Sequence, residues 1–127
     1  MEQLRITTIL SLLLLIGCSD DGLELNRNYP ENLINTWVES YEEDYGIYRP
    51  SDFMNFPTSW FRRTYTFMEG NECEYLVLSP VDAHYMESGK WEYDQKQSTI
   101  RIYKSNDELI HELKVTSLTS NILVIEL

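Results

Sequence analysis

Positive charge is scarce in this chain. Ten Lys and Arg stand against 21 Asp and Glu, a net charge of −11 over 127 residues. Nucleic acid and anionic lipid headgroups are held by clustered Lys and Arg, so this balance excludes nucleic acid as a partner. Glycine is also sparse, with five residues and none in a Gly-x-Gly setting. No glycine loop is therefore present to cradle a phosphate. There are two histidines and two cysteines, and they do not fall at the spacing of a zinc site. Asp82-Ala83-His84 offers two metal-ligating types in one loop, short of the three or four that a site needs. Glu42-Glu43-Asp44 lacks the spaced oxygens of a calcium loop and reads as a solvated run. Ser79 precedes Pro80 and lacks the glycine-framed elbow of a hydrolase nucleophile. No metal or cofactor is expected, and the chain is read as a non-enzyme for want of a convergent set of titratable groups.

Long apolar runs are scarce too. The longest, Ile6 to Ile16, has eleven residues, whereas a membrane-spanning helix needs about 20. A short head carrying Arg5 precedes the run, and Gly17 and Cys18 close it, which is the shape of a secretory signal peptide. Its ending, Leu15-Ile16-Gly17-Cys18, resembles the lipobox of bacterial lipoproteins. That resemblance implies cleavage before Cys18, acylation of Cys18 and anchoring of the mature chain to a membrane by its N-terminal lipid. Ser19 follows in place of the aspartate that retains such proteins at the inner membrane, which implies the outer membrane. Ser19-Asp20-Asp21 is similar to the acidic export tether of Bacteroidetes lipoproteins, and both surface exposure and a periplasm-facing orientation stay open.

The organisation expected is a signal peptide over 1–17, lipidated Cys18 with a polar tether over 18–32, and one domain over 33–127. Loss of residues 1–17 removes Arg5 and Glu2 together, so the mature charge is unchanged. With Cys18 lipidated, Cys73 stands alone and no intramolecular disulfide can form. Its place in an apolar alternation marks it as a buried small hydrophobe.

The domain reads as strands joined by turns. Tyr29-Pro30-Glu31-Asn32 suits a short helical turn, because proline fits the first helical position. Period-two alternation and β-branched or aromatic residues predict strands at 34–40, 60–68, 73–78, 89–93, 99–103, 109–115 and 122–127. Segment 41–58 holds Gly46, Pro50 and Pro57 and reads as a long irregular loop, in which Tyr41, Tyr45, Tyr48, Phe53 and Phe56 would form an exposed aromatic contact. About seven strands at regular spacing, with no long helix, predict an all-β fold: an antiparallel meander closing into a β-barrel of about 7–8 strands. Alternation places Phe61, Arg63, Tyr65 and Phe67 on one face, with Arg62 on the solvated other. It places Leu109, His111, Leu113 and Val115 together.

Three places are similar to small lipocalin-like, calycin-type lipoproteins of Bacteroidetes. They are Asn35-Thr36-Trp37 for the first strand, Ser88-Gly89-Lys90-Trp91-Glu92-Tyr93 for the mid-barrel Gly-x-Trp strand, and Leu118 to Ile125 for the closing hairpin. The resemblance implies a lipocalin-like barrel over 33–127 and names no ligand. Trp37, Tyr65, Phe67, Tyr75 and Trp91 are candidates to line an apolar pocket, with Arg63 at its wall. Arg63 could grip a ligand carboxylate or form an internal ion pair with Glu39, Glu42 or Glu43. The function expected is binding of a small hydrophobic ligand or of an envelope protein. The alternative is an accessory lipoprotein with a filled barrel that works through its outer surface and the aromatic 41–58 loop.

Overall fold

The computed structural model describes residues 28–78 and 84–126. The signal segment, Cys18, most of the tether, the Ser79–Ala83 loop with Asp82, and Leu127 lie outside the described residues. Eight strands form one closed antiparallel barrel. They are β1 Asn35–Glu39, β2 Ile47–Pro50, β3 Thr64–Met68, β4 Glu72–Leu78, β5 His84–Asp94, β6 Thr99–Lys104, β7 Leu109–Leu118 and β8 Leu123–Glu126. The described residues contain no α-helix, only short 3₁₀ turns such as Glu31–Leu33 and Glu69–Asn71. The fold is all-β and lipocalin-like, as expected.

β3 to β8 run as a meander, each strand paired with the next. The departure from a simple up-and-down ring lies in β1 and β2. β1 pairs with β2 on one side and with β3 on the other, and β2 pairs with β8. The segment 51–63 must therefore return past β1 to start β3. It does so over the outer face, as a strap.

The interior is one aromatic and aliphatic core. Trp37, Phe67, Trp91, Leu33, Ile100, Ile102 and Leu123 are each at most 1% exposed. The 3₁₀ turn at 31–33 closes the end of the barrel near the β3–β4 turn. There the Trp37 indole N–H donates to the Leu33 carbonyl at 3.1 Å and the Trp91 indole N–H donates to the Met68 carbonyl at 3.0 Å. Buried indoles need such acceptors. Tyr29 and Phe67 each pack on Trp91 with ring centroids 4.9 Å apart. Gly89 gives Gly89-Lys90-Trp91 its structural sense. A Cβ there would lie 2.3 Å from the Tyr103 carbonyl oxygen and 2.9 Å from the Tyr75 ring, so only glycine lets β5 approach both.

Three local expectations are corrected. The 41–58 segment is not wholly irregular: Ile47–Pro50 is a strand, and Tyr48 is 3% exposed inside the core instead of on a contact surface. The strand expected over 60–68 begins only at Thr64, because residues 60–63 belong to the strap. Leu109 does not share the inner face. A bulge leaves Ile110 unpaired between the pairs Ile102↔His111 and Tyr103↔Leu109. Leu109 therefore sits opposite outward-facing Tyr103, 44% exposed, while Ile110 packs on the core. An extra residue in one strand shifts every side chain beyond it.

The β1–β2 connection turns on Gly46, which has a φ of 81° and would place a Cβ 2.0 Å from the Ile125 carbonyl oxygen. Gly70 has the same φ of 81° with nothing nearby. Substituting alanine at Gly70 is expected to cost about 1–2 kcal/mol of backbone strain. At Gly46 overpacking adds to that strain, for about 2–5 kcal/mol in all. Urea unfolding of the two variants measures the difference. Equal losses would show that the Gly46 approach to β8 is not used.

Candidate functional site

β3 and β4 pair from Met68↔Glu72 to Tyr65↔Tyr75, and there the pairing stops although β4 runs on to Leu78. Where the strands part, a cleft of about 220 Å³ opens in the barrel wall. The strap brings Phe61 and Arg63, and β3 brings Thr64, to one side; β4 brings Leu76 and Leu78 to the other, with Tyr65 and His111 completing the lining. The cleft lies away from the end closed by Leu33. Tyr65 is 4% exposed, while Leu78 is 50% exposed at the rim.

Of the six residues expected at a pocket, Trp37, Tyr65, Phe67, Tyr75 and Trp91 meet in one core cluster, and Arg63 stands outside it. Trp37, Phe67 and Trp91 are packed within the core, and Tyr75 lies over Gly89 with its hydroxyl donating to Glu87 at 2.7 Å. Arg63 and Tyr65 line the cleft. Sequence reasoning put Phe61 on one face with Arg63 and Tyr65 but missed Leu76, Leu78 and His111 as their neighbours. Alternation assigns Leu76 and Leu78 to the outer face of β4, and only the parting of β3 from β4 turns that face into a wall.

The arginines divide sharply. Arg62, read as a solvated face residue, is instead the pin of the strap. Its guanidinium donates to Glu42 Oε1 at 2.8 Å, to the Glu39 carbonyl at 2.9 Å and to the Pro57 carbonyl at 2.7 Å. It also lies over the Tyr41 and Phe56 rings at 5.0 and 4.9 Å. Tyr41 and Ser59 join the strap to the 40–46 turn through their hydroxyls. Arg49 is held in bidentate fashion by Glu43 at 2.7 and 2.8 Å and covers Phe53. The acidic run is therefore committed: Glu42 to Arg62 and Glu43 to Arg49. Neither is left for Arg63. Glu39 accepts the Arg63 backbone N–H at 3.2 Å. Among the described residues the Arg63 guanidinium makes no hydrogen bond or ion pair.

Burial and the neighbouring Arg63 both push the His111 imidazole below its ordinary value, so it stays neutral at pH 7. Its ring meets Tyr65 edge-on at 6.0 Å. Burial likewise raises the Tyr65 and Tyr48 phenols. Cys73 is buried, and its thiol is pushed up to about 12, which makes it a poor nucleophile. His84 stands outside the cleft with its ring edge-on to Phe61 and Trp60 at 5.3 and 5.6 Å. Among the described residues no three His, Cys, Asp or Glu side chains converge as a metal set.

Compared with known protein families, curated proteins and solved structures, the chain matches none. The functional argument therefore rests on the barrel and its cleft.

The strap's anchorage carries a pH dependence. The Glu43 carboxyl, ordinarily near 4.5, is held down to about 2, first by Arg49 and then by the Ser40 hydroxyl. A carboxyl depressed on folding contributes stability that is whole above its unfolded value and is lost as pH falls toward the folded one. Urea midpoints are expected to drop between pH 4.5 and 2, and Glu43→Gln should flatten that drop. Glu42, depressed by Arg62, and Asp94, depressed first by the Gln97 backbone N–H and then by Arg101, keep part of it. An unchanged slope in the variant would show that Arg49 does not hold Glu43 in solution.

Proposed function

We propose that this chain is a lipid-anchored envelope lipoprotein whose lipocalin-like barrel binds a small, mainly apolar ligand in the β3–β4 cleft. The observation that carries the binding reading is the cleft itself. The barrel interior is filled by rings, so a ligand has no room among Trp37, Phe67 and Trp91. Where the wall parts, Phe61, Leu76 and Leu78 offer apolar area, and Arg63, Thr64 and His111 are the polar members of the lining. Binding sites of this type combine apolar walls with a few polar groups. The volume of about 220 Å³ falls below the roughly 300–1,000 Å³ of drug-sized sites, so the ligand is small: one ring or a short chain. Burial of its apolar surface supplies the driving force, at roughly 25 cal/mol per Å².

The envelope assignment rests on Leu15-Ile16-Gly17-Cys18. The described chain begins at the closed end of the barrel, where Tyr29 packs on Trp91, away from the cleft. A second reading, an accessory protein working through its outer surface, has Met54 and Tyr45 in its favour, 91% and 78% exposed. It needs no ligand in the cleft.

Two outcomes test these readings. Cys18→Ser is expected to move the protein from the membrane to the soluble fraction with an unchanged melting temperature, and a variant that stays with the membrane overturns the anchor. A neutral probe, 4-tert-butylbenzyl alcohol, is expected to shift the amide resonances of Phe61, Thr64, Leu76 and Leu78, and Leu76→Trp is expected to abolish those shifts. Shifts that survive the tryptophan place the binding elsewhere and favour the outer-surface reading.

A further inference from the structure

The lining of the cleft has a bias that the composition opposes. The chain carries about two acids for each base, yet no Asp or Glu lines the cleft among the described residues. Its charged group is Arg63, at the rim. Among the described residues there are four arginines, and three are tied to carboxylates: Arg49 to Glu43, Arg62 to Glu42, and Arg101 to Asp94 and Glu112. Arg63 is the fourth and has no such partner. Glu39, at the end of β1, accepts the Arg63 peptide N–H through one carboxylate oxygen and forms no ion pair with the guanidinium. A guanidinium that no described carboxylate bridges, in so acidic a chain, is open to the anionic group of a ligand.

We infer that the cleft ligand is a small amphipathic monoanion, with its apolar body between Phe61, Leu76 and Leu78 and its anionic head, a carboxylate, on the Arg63 guanidinium. The planar guanidinium offers two parallel N–H donors that match the two oxygens of a carboxylate. The apolar wall and the cation lie on the same cleft, so one molecule of about one ring can reach both. The net charge of −11 opposes the approach of an anion at long range. Screening cuts that field off within about 8 Å at physiological salt, so contact with Arg63 decides the selection. A neutral ligand of the same shape gains the apolar burial and forgoes the charge-assisted hydrogen bonds.

This inference rests on the cleft being a binding site, and a matched pair of probes separates the two claims. The pair is 4-tert-butylbenzoate and neutral 4-tert-butylbenzyl alcohol, titrated into the whole mature chain at pH 7 and followed by amide shifts. The benzoate is expected to bind tighter by about tenfold, the lower end of what hydrogen bonds to a charged group contribute. In Arg63→Gln the benzoate-over-alcohol preference should fall to within about twofold while the alcohol still shifts the cleft amides, and Arg63→Lys should keep part of the preference. Arg63 is exposed, so both variants are expected to fold, and the retained alcohol shifts verify that they do. Equal affinities in the unmodified chain would overturn the anion while leaving the cleft as a site. A preference that persists in Arg63→Gln would overturn the role of Arg63. Failure of both probes to shift the cleft amides would overturn the binding reading, and this inference with it.

Discussion

The ring closes through β1, and most of the molecule follows from that closure. β1 is five residues long and is hydrogen-bonded on both sides, to β2 and to β3. With β2 joined to β8, no sheet edge remains exposed, which removes the usual liability of an open sheet. The cost is topological. β2 and β3 flank the same strand and run parallel, so the chain between them must travel back along the barrel. That return is the 51–63 strap. Its position over the outside of β1 and β2 explains why outward-facing Thr36 and Val38 are half-covered. It also explains why Arg49 and Arg62 meet aromatic rings instead of water.

Side-chain chemistry then divides the barrel into two ends. At one end both buried indoles have backbone acceptors, and Leu33 and Tyr29 seal the core. Toward the other end the inward positions turn polar: Tyr48, Tyr65, His111 and Glu39. The bases are distributed by the same logic. Glu42 and Glu43 lie in the turn after β1, close to where the strap begins and ends, and they hold two arginines there. Arg63 follows Arg62 directly, so in extended chain it points the opposite way. It thereby misses the acids that its neighbour finds. The cleft and its unbridged cation are thus by-products of how the strap enters β3.

Much of this was legible in the sequence, element by element. Strands 3 to 8 carry enough alternating residues to be recognised, although β3 starts four residues later than the pattern suggests and β5 five residues earlier, with His84 in the strand instead of the loop; the turn at Glu69–Asn71 announces itself through Gly70. β2 was not legible. Ile47-Tyr48-Arg49-Pro50 has four residues between a glycine and a proline, too short to separate from a loop by periodicity. Arg62 and Arg63 were assigned opposite fates for a sound reason, their parity, and the outcome reversed. Arg62 does face outward, but the strap folds over that face and brings Glu42 with it. Leu109 failed through a single extra residue at Ile110, which no local pattern distinguishes from its neighbours.

The sequence by itself determined the class of the fold, the unpaired state of Cys73 in the barrel and the acid excess of the surface. Alternation, turn residues and composition are local properties, readable without knowing which strands meet. Only the tertiary structure decided which strands are neighbours, where β3 leaves β4, and which of the described arginines pairs with no described acid. Those depend on pairing between β1 and β3 and between β2 and β8, contacts between segments far apart in the chain. Their energy comes from hydrogen bonds and packing that exist only once the ring has closed.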